Sequence, residues 1–168
     1  MQERRAVPAL TRPRVAAVGL VTAVLVVTAD QLTKWWALEQ LADGPVDLVW
    51  TLRLRLTFNS GAAFSTGEGY TPFLTAAGVV VLLVLVAMTR SVDSRPVAAA
   101  FGLMVGGAVG NLTDRLVRDH GGAVVDFVDF QWWPVFNVAD AALVIGAVLL
   151  VLAEFRRERA ERGREAGA

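Results

Sequence analysis

PFLTAAGVVVLLVLVAM, residues Pro72 to Met88, carries neither a charged side chain nor an amide. Its length approaches the roughly 20 apolar residues with which a helix crosses a hydrocarbon core about 30 Å thick. Lipid offers the backbone no other partner, so the stretch reads as a membrane-spanning helix. Working outward, Val135 to Phe155 repeats the pattern. Val15 to Trp36, with Asp30 and Lys34 near its end, and Val97 to Leu112 are less uniform but long enough. The expected fold is an all-α integral membrane protein of four transmembrane helices with a small extracytoplasmic β element and both termini cytoplasmic. Residues 1–14 form the N-terminal tail, 15–155 the membrane domain with an outer β region at about 46–66, and 156–168 the C-terminal tail.

Of the 168 residues, 55% are hydrophobic, too many for an ordinary soluble domain of this length. Sixteen basic and sixteen acidic residues cancel, but they gather at the ends and in the connections. The chain has no cysteine, which excludes disulfides, thiolate metal sites and a cysteine nucleophile. Its single histidine, His120, argues against a histidine metal site or a Ser-His-Asp triad and reads as a solvated loop residue. Chemistry must come from carboxylates, amides, hydroxyls and arginine.

Arg4, Arg5, Arg12 and Arg14 precede the first apolar run, as they would in a cleaved secretory signal. That alternative is set aside because the run leads into Asp30-Gln31-Leu32-Thr33-Lys34 and not into a small-residue cleavage site. Basic connections stay cytoplasmic. The two tails with Arg90 and Arg95 hold eleven basic residues, against Lys34, Arg53, Arg55, Arg115 and Arg118 on the opposite side. Both tails are therefore expected inside. Trp35, Trp36, Trp50, Trp132 and Trp133 then fall outside, where an aromatic belt at headgroup depth accounts for most of them.

Between the first two spans, Trp50, Leu52, Leu54, Leu56 and Phe58 alternate with Thr51, Arg53, Arg55 and Thr57. Period two marks a half-buried strand, either a simple linking hairpin or a cover over a cavity between helices. In the third span Gly102, Gly106 and Gly110 recur every four residues, a ribbon that admits a close helix neighbour and that packing alone explains.

Charges are costly in lipid, about 2.5 to 3.5 kcal/mol at the bilayer centre, so ionisable residues at span ends are functional candidates. Asp30, Asp114, Asp126, Asp129 and Asp140 all lie toward the outer side. Asn111, Asp114 and Arg115 share a helical face if the third helix continues, and Asp114 with Arg115 reads as an interfacial ion pair or a binding element. Asp140 lies one turn inside the fourth apolar run, on the face of Asn137. A lone carboxylate at that depth is driven toward its neutral form. A second carboxylate beside it allows the two to share a proton and to act as acid and base, the chemistry of an aspartic peptidase. Asp126 and Asp129 are both placed to be that partner, and spacing separates them weakly.

At these residues the chain resembles lipoprotein signal peptidase (signal peptidase II) over roughly Val15 to Phe155. The matching blocks are Asp30-Gln31-Leu32-Thr33-Lys34, Asn59-Ser60-Gly61-Ala62-Ala63-Phe64, Gly106-Gly107-Ala108-Val109-Gly110-Asn111-Leu112-Thr113-Asp114-Arg115, Val124-Val125-Asp126-Phe127 and Phe136-Asn137-Val138-Ala139-Asp140. The resemblance implies an aspartyl endopeptidase of a multi-pass bacterial inner membrane, with Asp126 and Asp140 as its catalytic pair near the extracytoplasmic face. It implies a prolipoprotein substrate cut before a diacylglyceryl-modified cysteine. Asn59, Asn111, Arg115 and Asn137 take positions lining the substrate and inhibitor pocket, and Asp30 and Lys34 positions that support fold or activity; Asp114 keeps its reading as a support or binding residue. Membrane phospholipid and peptide-like inhibitors of the globomycin type are the other implied partners; no cofactor, metal or nucleic acid is. The chain departs from the pattern in Arg118-Asp119-His120-Gly121-Gly122, between the third-span motif and Asp126.

The expected mechanism has one ionised aspartate taking a proton from water while the protonated other polarises the scissile carbonyl. Asn111, Asn137 and Arg115 are candidates for steadying the oxyanion. The rival from another class is a small ion or proton-coupled transporter, which would also need intramembrane carboxylates. Its relay across the membrane is missing from the inner halves of the spans. A non-catalytic lipid-binding or assembly protein would keep the glycine ribbon and the aromatic belt but needs no converging aspartates.

Overall fold

The computed structural model describes residues 12–61 and 71–166. Arg4, Arg5, the motif residues Ala62, Ala63 and Phe64, and the end of the expected β region lie outside the described residues. Helix α1 runs Arg12–Gln40, strands β1 and β2 Val46–Val49 and Leu52–Asn59, helix α2 Thr71–Thr89, helix α3 Arg95–Val117, strand β3 Val124–Asp129 and helix α4 Val138–Ala166. Each of the four helices is long and apolar enough to cross a membrane.

Helix α3 is the centre of the bundle, packing on α1, α2 and α4. It begins where Ser94 stands in extended backbone before a proline in the first turn, a position at which the missing N–H costs no hydrogen bond. Its glycines explain its centrality. A Cβ on Gly106 would lie 2.7 Å from Val26 Cβ, and one on Gly110 2.5 Å from Asp30 Oδ2, while Gly102 meets the Gly19 carbonyl. The ribbon thus faces α1, and Gly107 meets the Ala139 carbonyl on the α4 side. Helix α2 lies outermost, with Leu85 its one buried residue, and joins α3 and α4 through Leu85, Phe101, Ala108, Leu143 and Leu150. At the end of the bundle where α1 begins, Val15, Gly19, Ala23, Gly102, Val105 and Arg90 line an apolar groove of about 420 Å³.

Helix α1 extends past the expected Val15 to Trp36 at both ends, and three further helix ends differ from the sequence expectation for a local reason. Helix α3 continues past Leu112 to Val117, so Asp114 and Arg115 are helical. Helix α4 starts at Val138 instead of Val135 because both backbone groups of Phe136 bond Val128 of β3. It also runs past Phe155 to Ala166, where Arg157 with Glu161 and Arg162 with Glu158 pair one turn apart along an exposed helix.

The strands form one antiparallel sheet, β1-β2-β3. The expected alternation from Trp50 is β2 less its first two residues, because Trp50 and Thr51 make the tight turn from β1. Trp50 there is fully exposed in left-handed backbone, φ 52°. Thr57 faces Asp126 and Asn59 faces Val124 in the register that joins β2 to β3. Strand β3 is buried along nearly its whole length, Phe127 packing on Ala37 and Leu41 of α1. The sheet therefore caps the bundle at the end of α1 that carries Asp30 and Lys34.

Candidate active site

Where the sheet meets the bundle, β3 delivers Asp126 and the first turn of α4 delivers Asp140. Asp126 is 1% exposed. Its Oδ1 accepts from Asn137 Nδ2 at 2.7 Å and its Oδ2 from Asn59 Nδ2 at 2.9 Å. Asp140 Oδ1 accepts from Asn111 Nδ2 at 2.8 Å. Its Oδ2 accepts the Asn137 backbone N–H at 3.2 Å, while Asn137 Oδ1 accepts the Asp140 N–H at 2.9 Å. The last two bonds are the reciprocal pair of a capping box, with Asn137 as N-cap of α4. Asn137 thus holds both carboxylates at once, one by its side-chain amide and the other by its cap.

Burial pushes the Asp126 carboxyl up to about 6, against the pull of the Asn59 and Asn137 amides and with the help of the neighbouring Asp140 charge. Two carboxylates held by one Asn137 can divide the labour of acid and base.

Asp129 is engaged elsewhere. Arg53 Nε at 2.8 Å and Arg55 Nε at 3.0 Å both reach its Oδ2, and the Gln131 N–H reaches its Oδ1 at 2.7 Å. Although its burial works the other way, these contacts hold its carboxyl below the ordinary value.

Below the two aspartates lies an ion cluster. Lys34, fully buried, places Nζ 2.8 Å from Asp30, 2.9 Å from Asp114 and 3.0 Å from Asn111 Oδ1. Asp114 pairs with Lys34 and with Arg118, 2.9 Å away, and not with Arg115 as its neighbour in sequence implies. Arg115 parts from the Asn111 and Asp114 group and donates to the Gly122 carbonyl at 3.0 Å, in the turn that leads to β3. Gln31 joins the cluster, donating to Asp30, Asp114 and the Gly110 carbonyl and accepting from Arg118. Gln31 and Arg118 went unassigned in the sequence, although Gln31 lies one helical turn before Lys34 and Trp35 and Arg118 one turn after Asp114. His120 is exposed, as expected, but its ring packs 4.8 Å from that of Phe58. No group of three or more metal-ligating side chains occurs among the described residues.

The signal peptidase (SPase) II family profile matches residues 22–156. The chain belongs to the signal peptidase II family. It is 47% identical over 137 residues to the lipoprotein signal peptidase of Rhodococcus jostii, covering 79% of this chain and 69% of that protein. It is 40% identical over 167 residues to the lipoprotein signal peptidase of Mycobacterium avium, covering 91% and 92% respectively. A solved bacterial membrane enzyme superposes with a TM-score of 0.72 at 28% identity, over 82% of this chain and 92% of that one. Members of the signal peptidase II family are aspartic peptidases, so the carboxylates on β3 and α4 lie in a protein whose chemistry calls for such a pair.

Proposed function

We propose that the protein removes signal peptides from bacterial prolipoproteins by hydrolysis before a diacylglyceryl-modified cysteine, with Asp126 and Asp140 as the catalytic pair. The observation that carries this reading is the sharing of Asn137 by two carboxylates from different elements. Asp140 takes a proton from water as the water oxygen bonds to the scissile carbonyl carbon, and Asp126 gives its proton to the carbonyl oxygen. The tetrahedral diol then collapses. Asp140 protonates the leaving amine of the lipidated cysteine, Asp126 recovers its proton from a diol hydroxyl, and the carbon–nitrogen bond breaks. Asn59 and Asn137 orient Asp126, Asn111 orients Asp140, and Arg115, on the Gly122 side, meets the substrate backbone or lipid phosphate.

The excess of basic residues in the tails and in the α2–α3 connection puts both termini in the cytoplasm and the aspartates near the outer face of the inner membrane. A substrate anchored by its own lipid reaches them laterally, and globomycin-type peptides and phospholipid headgroups compete at the same mouth. The transporter reading is disfavoured because the buried charges among the described residues gather at the sheet end of the bundle and do not run as a relay along it. Turnover of a lipidated precursor by Asp126→Asn and Asp140→Asn tests the pair. Both are expected to fall by at least about 10⁴-fold in folded protein, and near-normal turnover by either ends the proposal.

A further inference from the structure

Besides its partners in the ion cluster, each of the two buried acids beside Lys34 binds one backbone N–H. Asp30 Oδ1 accepts from Ala139 N at 3.0 Å, and Asp114 Oδ2 accepts from Val125 N at 3.0 Å. Ala139 immediately precedes Asp140, and Val125 immediately precedes Asp126. Asp30, Lys34 and Asp114 are each 0% exposed, and the two N–H groups belong to different elements, an α-helix start and a β-strand. In α4 the Ala139 N–H is one of the first-turn donors for which the helix supplies no acceptor. Asp30, from α1, supplies it.

We infer that Asp30, Lys34 and Asp114 are a positioning device for the reacting aspartates: one ammonium holds two carboxylates, and each carboxylate holds the backbone one residue before one of the pair. The device sets the separation between β3 and the start of α4, the dimension on which sharing of a proton between Asp126 and Asp140 depends. Lys34 has a second hold on the site, because its bond to Asn111 Oδ1 turns the Asn111 NH₂ toward Asp140. Arg118 and Gln31 close the device from the β3 side by taking up Asp114 Oδ1. With Lys34 and Arg118 against Asp30 and Asp114 the assembly is electrically neutral, so it fixes the geometry without adding net charge beside the dyad. Neither Asp30 nor Lys34 touches the two aspartates, so their part is positioning and not catalysis. The inference rests on the reading of Asp126 and Asp140 as the catalytic pair.

The test is cleavage of a lipidated precursor by Lys34→Met and by the triple variant Lys34→Met/Asp30→Asn/Asp114→Asn. Lys34→Met leaves Asp30 without a cation and Asp114 with Arg118 alone, and is expected to lose about 100-fold in kcat, the scale of an ångström misplacement, with KM within about threefold of wild type. The triple variant removes the three fully buried charges at nearly constant volume and leaves only Arg118, which is partly exposed, so it leaves no uncompensated charge fully buried and keeps the test valid should the single variant fail to fold. Its amide oxygens still accept both N–H groups but are no longer held by one cation. We expect a folded protein with kcat lowered by roughly tenfold and KM unchanged, no worse than Lys34→Met, because residues acting as a unit are non-additive. A folded triple variant with wild-type kcat overturns the inference, as does a loss confined to KM. Failure of the underlying pair is distinguishable: Asp126→Asn or Asp140→Asn would then retain turnover, whereas failure of the positioning device leaves both of those inactive.

Discussion

Gly110→Ala places a methyl group 2.5 Å from Asp30 Oδ2 and 3.1 Å from Asp30 Cγ, about 0.9 Å inside the 3.4 Å at which ordinary contact begins. An exposed carboxylate would swing aside. Asp30 has no such freedom, because Oδ2 is held by Lys34 at 2.8 Å and Oδ1 by the Ala139 N–H at 3.0 Å. The strain therefore reaches Ala139 in two ways, through Asp30 and through the new methyl's own contact with Ala139 Cβ at 3.3 Å. Overpacking of this kind costs about 1–3 kcal/mol of stability. A displacement of most of an ångström at the residue before Asp140 should lower kcat by about 10²-fold. Gly163→Ala is the control, since nothing lies within 4 Å of its added Cβ, and it should leave turnover unchanged. Both are measured as cleavage of a lipidated precursor in detergent, with thermal melting to confirm folding. A folded Gly110→Ala enzyme with wild-type kcat would refute the chain of contacts from α3 through Asp30 to α4.

A carboxyl raised from 3.8 to about 6 binds its proton more tightly folded than unfolded, so Asp126 lowers stability as pH rises through that interval. Asp126→Asn should therefore melt higher than wild type at pH 7.5, by on the order of 2 kcal/mol after loss of one amide bond, and the gain should vanish below about pH 4. A gain independent of pH would contradict the buried acid. Asp129→Asn gives up contacts to two partly exposed arginines, which costs about 1 kcal/mol or less, and should turn over within roughly threefold of wild type. Inactivity equal to that of Asp126→Asn would mean the wrong acid has been chosen. Asn137→Ala removes the N-cap and leaves Asp126 Oδ1 and the Val125 carbonyl without a donor, a loss of on the order of 3 kcal/mol that chemical unfolding can measure.

The helices were legible because lipid imposes length and apolarity on them, and only their ends needed the structure. The fourth-span start is an example: Val135 and Phe136 are as apolar as the span itself, and their exclusion depends on the pairing of Phe136 with Val128, far outside any local window. The outer sheet was half legible. Strand β2 alternates in sequence and packs Leu54 and Leu56 on Ala37, Leu41 and Phe127, whereas β3 is buried along nearly its whole length and so shows no period of two, and Val124-Val125-Asp126-Phe127 reads as connection. In the site, Asp140 with Asn137 was readable from helical spacing, and the glycine ribbon from its four-residue repeat. Spacing alone separated Asp126 from Asp129 only weakly, because the arginines that engage Asp129, Arg53 and Arg55, arrive from another strand. Arg118 looked like part of a variable loop because its role depends on α3 running one turn longer than its apolar stretch. Arg115 looked like the partner of Asp114 because adjacency in sequence hides the roughly 100° that separates neighbours around a helix.

Both carboxylates that hold Lys34 or Arg118 have a basic partner four residues along the chain, Asp30 with Lys34 within α1 and Asp114 with Arg118 at the C-cap of α3. During synthesis α1 must enter the membrane before α3 exists, and a lone charge there is expensive. With acid and base on the same face one turn apart, each segment can arrive already neutralised. When α3 docks against α1 through its glycines, Lys34 reaches across to Asp114, and the two local pairs fuse into one shared cluster. The order of biogenesis is thus built into the spacing: what serves in the finished enzyme as a brace between elements serves earlier as the means by which each element gains entry to the bilayer.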